Sequence, residues 1–262
     1  MYQQISTPYT LTEQRQQLIG QPEFNNLCKI ITNKNFCFLP ASKTYNLLSC
    51  VNNINLGDWE AFQQSWNRLD IDQYMGDGGT YRYRRYATYS TVPGRQIIRR
   101  ENHQPHYQSV EYNGLNGGIM RHFAPIEDNI AESMIMSSIL IFCHELFRKL
   151  ASFNNWHIEV HQFRIDASQN IAHPTPEGIH RDGVNFIFML MINRLNIVNG
   201  ESNIYDLSKK RLANFTLMDP YDAAIVNDEQ VMHGVSSIVQ VDTTKKAYRD
   251  MLVVTFRKED IK

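Results

Sequence analysis

Six short apolar runs separated by turn residues occupy the C-terminal part of this chain, and they limit its fold more than any other feature. They are Trp156 to Ile165, Val184 to Ile192, Ser202 to Tyr205, Ala213 to Leu217, Ala223 to Asn227 and Arg249 to Arg257. Asn199-Gly200, Asp219-Pro220 and Asp242-Thr243 stand between them, dipeptides suited to reversing a chain. Short runs of this kind at regular spacing predict strands that close into two facing sheets rather than alternate with helices.

Upstream the pattern changes. Leu11 to Ile19 and Asp58 to Trp66 carry apolar residues at helical spacing. Ile130, Met134, Ile139, Phe142, Leu146 and Leu150 predict one long core-facing helix over Ile126 to Phe153. The turn Gly76-Asp77-Gly78-Gly79 leads into Thr80 to Tyr86, where aromatic and basic residues alternate as on a strand. Residues 101–122 read as loop. Helices first and strands later predict an α+β chain with a mainly β core: a jelly roll on supporting N-terminal helices. No linker divides the chain, so one domain over 1–262 is expected. Residues 1–155 would form a helix- and loop-rich support that covers the substrate, and 156–262 the jelly-roll core.

The chain has 262 residues, 42% of them hydrophobic, enough to build a core without disulfides. Its net charge of −1 offers no basic field for nucleic acid or an anionic membrane. Cys28, Cys37, Cys50 and Cys143 form no C-x-x-C pair and read as reduced thiols. The first residues lack the apolar segment of a secretory signal, and Met134 to Phe147 is too short and polar to span a bilayer. A cytoplasmic protein without membrane attachment is expected; a homo-oligomer is left open.

Chemistry concentrates at His180-Arg181-Asp182 and at His233 far downstream. On a strand, residues two apart share a face, so His180 and Asp182 point the same way. Two imidazoles and a carboxylate can bind one face of a ferrous ion and leave open positions for oxygen chemistry. The neighbouring Gly183 and Gly234 would let backbone pass close to a metal. Zinc fits the same donors, so a zinc hydrolase competes with an oxygenase, and a jelly-roll binding module with structural His and Asp is a third reading. His103, His106, His122, His144, His157 and His161 fit local hydrogen bonding.

An iron oxygenase that draws electrons from a 2-oxo acid needs a cation for the acid's remote carboxylate, and the forked guanidinium suits it. Arg249, Met251, Val253, Thr255 and Arg257 fall on one face of the last strand. Arg249 is the expected anchor and Arg257 its alternative.

Several segments, in order, resemble the iron(II)/2-oxoglutarate dioxygenases that hydroxylate free L-amino acids, the isoleucine hydroxylase-like group. They are His161-Gln162-Phe163-Arg164, Thr175 to Gly183, Asn199-Gly200-Glu201-Ser202, Met232-His233-Gly234-Val235 and Tyr248 to Arg257. Gly76 to Arg85, His106-Tyr107-Gln108 and Asn113 to Gly118 add to them upstream. The resemblance covers most of residues 70–258. It implies a double-stranded β-helix with Fe(II) on His180, Asp182 and His233, and 2-oxoglutarate chelated there with Arg249 on its far carboxylate. Ascorbate would assist and O2 would be consumed. Gln162 and Arg164 become candidates for the chelating end. The implied substrate is a small zwitterion such as isoleucine, leucine or methionine, for which Arg82, Arg84 and Glu101 are candidate partners. An oxygenase acting on a peptide or nucleic acid is the alternative within the wider superfamily.

Overall fold

The computed structural model describes residues 12–91, 97–151, 155–168 and 171–259. Leu11 and Phe153, the outer ends of two expected helices, lie outside them. The helices are α1 (Thr12–Gly20), α2 (Pro22–Lys34), α3 (Ala41–Ser49), α4 (Leu56–Gln64), α5 (Asp128–Ala131) and α6 (Met134–Leu150). The strands of the first half are β1 (Phe36–Leu39), β2 (Asp70–Ile71), β3 (Arg82–Thr91) and β4 (Ile98–Arg100). Those of the second half are β5 (Trp156–Asp166), β6 (Phe186–Leu195), β7 (Ile197–Asn199), β8 (Ser202–Tyr205), β9 (Arg211–Phe215), β10 (Ala223–Asn227), β11 (Met232–Val235), β12 (Ile238–Gln240) and β13 (Tyr248–Lys258).

The major sheet runs β1-β10-β6-β13-β5-β3-β2, with β4 on β3 and every pair antiparallel. Its spine is the β13–β5 pair, in continuous register from Tyr248↔Asp166 to Lys258↔Trp156. Facing it are the shorter sheets β11-β8-β9 and β12-β7. Two antiparallel layers around an interior cavity make this a jelly roll.

Period-two alternation divides the major sheet's side chains between two environments. One face of β5, with Ile158 and Val160, joins Phe142, Phe147, Phe188 and Phe256 in the main core beneath the helices. The other face, with His161, Phe163 and Ile165, lines the cavity. Helix α6 is buried along Ile135 to Phe147 and forms the centre of the helical layer.

Two expectations change here. The single helix over Ile126 to Phe153 is broken, because Ser133 takes an extended backbone and its side chain accepts a hydrogen bond from the Met136 amide. The first half also supplies more than support: β1 pairs with β10, and β3 pairs with β5 from Arg82↔Ile165 to Ser90↔His157. The cysteines are free thiols, as expected. No helix among the described residues is long and apolar enough to cross a membrane.

Candidate active site

The His180 and His233 backbones exchange both hydrogen bonds of an antiparallel bridge, each N···O distance 2.9 Å. This bridge joins the loop before β6 to β11 and sets the two rings 4.5 Å apart. Asp182, on the same side as His180, places Oδ1 3.6 Å from His180 Nε2 and Oδ2 3.8 Å from His233 Nε2. The three donor atoms lie within 4.8 Å of one another, close enough to share one cation. His180 Nδ1 donates to the Gly178 carbonyl at 2.9 Å, so Nε2 is the nitrogen turned toward the cluster.

The charges agree with a site built for a cation. Burial alone would raise the Asp182 carboxyl, but its hydrogen bond to His180 and the charges of His180 and His233 hold it well below the usual range. Burial would lower His180, yet Asp182 and the Glu177 charge raise it to about 9. Burial and the His180 charge lower His233 to about 4.

Two residues that spacing alone did not single out hold this loop. Fully buried Asp228 accepts from the amides of Asp182, Gly183 and Val184 at 3.1, 2.9 and 3.2 Å. Its Oδ1 lies 3.9 Å from His233 Nδ1, a buried ring nitrogen with no hydrogen-bond partner. Gln108 Nε2 donates to the Asp182 carbonyl and carboxylate at 3.2 and 3.3 Å. Gly183 has φ +79°, and a Cβ there would overlap the Tyr112 ring.

The cluster opens into a cavity of about 580 Å³, large enough for a cosubstrate and a small substrate together. Arg249 lines it, is 5% exposed, and has no ion-pair partner among the described residues. Its Nε is buried without a hydrogen bond, and burial with the nearby Arg194 charge lowers the guanidinium to about 10. A buried cation short of an anion fits an incoming carboxylate. The donor set and Arg249 therefore fit a divalent metal and an anionic cosubstrate in one cavity. Arg257 lines the same cavity, roughly 26 Å further along the strand at 3.3 Å per residue.

The other expected residues divide. Gln162 and Arg164 lie on the opposite face of β5 from the cavity. Gln162 Nε2 donates to Ser65 Oγ at 2.8 Å, and Arg164 forks onto Asp250 with two 2.7 Å bonds. Neither can contact a chelating cosubstrate, because strand alternation turns them away from His161. Glu101 also lies off the cavity, with Ser90 and Arg99 as its partners. Arg82 and Arg84 do line it, but both are held by buried Asp72, at 2.7 and 3.5 Å.

A second cluster, His106, Glu159 and His161, occupies the same cavity wall. Arg84 Nη2 lies 2.7 Å from His161 Nδ1. A guanidinium only donates, so Nδ1 accepts and the ring proton sits on Nε2, which then cannot bind a metal. Glu159 accepts from Tyr86 Oη at 2.8 Å, with His157, His161 and His106 nitrogens at 3.3, 3.6 and 3.1 Å. The cluster is a set of imidazoles and a tyrosine gathered around one half-buried carboxylate.

Comparison with known proteins agrees with this geometry. The family model described as 2OG-Fe dioxygenase matches residues 63–255, and the chain belongs to that family. It is thus a 2-oxoglutarate-dependent dioxygenase, and the family implies Fe(II) and 2-oxoglutarate. The chain is 27% identical to L-isoleucine-4-hydroxylase of Bacillus thuringiensis over 205 residues, covering 76% of this chain and 83% of that protein. It is 24% identical to 3(1)-hydroxy-L-isoleucine 4-dioxygenase of Pantoea ananatis over 213 residues, covering 79% and 84%. Among solved structures, a bsmA homolog from Methylobium petroleophilum PM1 superposes with a TM-score of 0.81 at 31% identity, covering 91% of this chain and 94% of that one.

Proposed function

We propose that this chain hydroxylates a free aliphatic L-amino acid, isoleucine-, leucine- or methionine-like, using Fe(II), 2-oxoglutarate and O2. The observation that carries the reading is one cavity holding both the His180–Asp182–His233 cluster and the unpaired Arg249. A zinc hydrolase would leave the buried Arg249 charge without a purpose. The two relatives named for isoleucine substrates support the amino-acid class.

His180 and His233 would hold the iron through Nε2, and Asp182 through its carboxylate. Bound iron with 2-oxoglutarate and O2 supplies the oxidation: one oxygen atom enters a substrate C–H bond, the other enters succinate, and CO2 leaves. Arg249 takes the remote carboxylate of 2-oxoglutarate and so fixes which end faces the metal. Gln108 and Asp228 keep Asp182 and its loop oriented. Ile187, Met189, Val235 and Val253 give the cavity an apolar wall that excludes water and receives an aliphatic side chain.

The test is purified protein with Fe(II), ascorbate, 2-oxoglutarate and a panel of L-amino acids, read by mass spectrometry. One member should gain a single oxygen atom and stimulate succinate release. If neither amino acids nor peptides raise turnover above the uncoupled background, the reading fails.

A further inference from the structure

Apart from the exposed Arg257, two cavity-facing charges remain unused by the metal and by 2-oxoglutarate. Arg121, 2% exposed, lines the cavity from the loop after residues 101–120. Its Nε is buried without a hydrogen bond, its Nη2 reaches only Gln108 Oε1 at 3.4 Å, and no carboxylate among the described residues pairs with it. Arg82 and Arg84, its neighbours in charge, are already held by Asp72. Glu177 lines the cavity beside the metal cluster, with Oε1 3.4 Å from His180 Nε2. Its Oε2 is buried and receives no hydrogen bond. No lysine or arginine pairs with it among the described residues.

We propose that Arg121 and Glu177 are the two poles of an amino-acid clamp, the guanidinium taking the substrate α-carboxylate and the Glu177 carboxylate its α-ammonium. This rests on the amino-acid reading above and replaces Arg82, Arg84 and Glu101 in that role. The argument is one of charge balance: a buried cation without an anion, and a half-buried carboxylate whose near neighbour is the His180 nitrogen that would hold the metal, are satisfied together by a ligand carrying both charges on one carbon. A simple carboxylic acid would leave Glu177 unpaired. A residue inside a peptide carries neither charge, and a peptide's N-terminal residue lacks the carboxylate, so the clamp selects free amino acids. Burial lowers the Arg121 guanidinium, and the charges of Asp72, Glu159 and Glu177 act against it, so Glu177 lies within electrostatic reach. With both poles engaged, the side chain is left to meet Ile187, Met189 and Val253.

The test is calorimetry on anaerobic protein loaded with Fe(II) and 2-oxoglutarate. The probes are L-isoleucine, L-leucine and L-methionine, followed by the amide and the deaminated acid of the tightest binder. In the wild-type protein each truncated probe should bind roughly 10–100-fold more weakly, the range of a charge-assisted hydrogen bond. Arg121→Ala should lose a similar factor for the amino acid and stop distinguishing acid from amide, with partial rescue by Arg121→Lys. Glu177→Gln should stop distinguishing the amino acid from its deaminated analogue. A metal titration and a melting curve accompany each variant. Loss of metal binding in Glu177→Gln would make Glu177 a metal ligand and overturn its half of the clamp. Wild-type affinities in both variants, or no binding of any of the three amino acids to the wild-type protein, overturn the whole. Oxygen gain on an amino acid with unchanged variant affinities sinks the clamp but not the hydroxylase; clamped binding without oxygen gain does the reverse.

Discussion

Arg249 and Arg194 stand opposite each other in register on β13 and β6, two like charges with no ion-pair partner among the described residues. Arg194 is occupied, donating to the Ile197 and Asn199 carbonyls at 3.3 and 2.7 Å, whereas Arg249 Nε is buried with no acceptor. Gly200 makes room for the pair. With φ +76°, a Cβ there would come 2.8 Å from Ile238 Cγ2 and 3.2 Å from Arg194 Nη1. The protein therefore keeps at this spot a charge that costs stability unless an anion accompanies it.

Replacing Arg249 separates binding from folding. Arg249→Met should raise the 2-oxoglutarate concentration needed for half-maximal turnover by roughly 10–150-fold, the equivalent of a pair worth about 1.5–3 kcal/mol. Its melting temperature without cosubstrate should not fall, because a buried unpaired charge is replaced by an apolar chain of similar volume. An unchanged 2-oxoglutarate requirement would transfer the role to Arg257.

Asp228 serves three consecutive amides at once. Burial and the Asp182 charge push its carboxyl up to about 7 against those three hydrogen bonds. Asp228→Ala should cost roughly 2–5 kcal/mol in stability by stranding buried donors, and about 10–100-fold in metal affinity. Asp228→Asn keeps an acceptor and should lose less of both. Denaturant melts and a metal titration on the same samples give the two numbers.

Gly183 couples the backbone to an aromatic ring. Gly183→Ala places a Cβ in a left-handed conformation and against Tyr112, whose ring also lies 5.4 Å from the Arg181 guanidinium. The conformational part alone costs about 1–2 kcal/mol. The variant should melt lower and bind metal more weakly as the Asp182 to Val184 amides leave Asp228. Wild-type metal affinity in a folded Gly183→Ala protein would mean that the loop tolerates Tyr112 displacement.

Acid should attack the helical layer through Glu145 on α6. Burial would raise its carboxyl, but hydrogen bonds from His144 and Arg148 with the charges of His144 and Arg15 hold it at about 2. Arg15 Nε lies 3.2 Å away and Arg148 Nη2 donates at 2.6 Å. A carboxyl depressed in the folded state binds its proton more readily when unfolded. Its stabilisation is therefore fully present above pH 4.5, its ordinary value, and is lost as pH falls toward 2. Urea midpoints at pH 7 and pH 3 should differ less for Glu145→Gln than for the parent, by an amount on the order of 2–3 kcal/mol. Equal acid sensitivity would remove Glu145 from the account.

How far the sequence could be read depended on whether the signal was local. β5, β6, β10 and β13 were legible because apolar and aromatic residues mark them strongly, and the His180–Asp182 spacing carries its own geometry. β1 was missed because four residues, Phe36 to Leu39, follow a helix directly and show no alternation long enough to count. Ser133 sits within helical spacing, but its side chain caps the helix that follows it. Gln162 and Arg164 are candidates through the family resemblance of their segment, although alternation sends them to the face away from the cavity. Counting by twos from Met191 would likewise put Arg194 away from Arg249. An extra residue, Ile192, interrupts the β6–β13 register and restores the match. Asp228 and Gln108 carry no spacing signal at all: their contacts with Asp182 exist only once distant segments meet.

The position of β13 has a consequence for how the chain is made. The last strand among the described residues lies in the interior of the major sheet, between β5 and β6, and it carries Arg249. On the ribosome, β5 and β6 each emerge with one edge open and nothing to close it until residues 248–258 are released. Closure of the sheet must then wait until β13 has been made, at the slow rate set by distant pairings. A chain stalled before Tyr248 would expose two unpaired strand edges, the form most prone to aggregate.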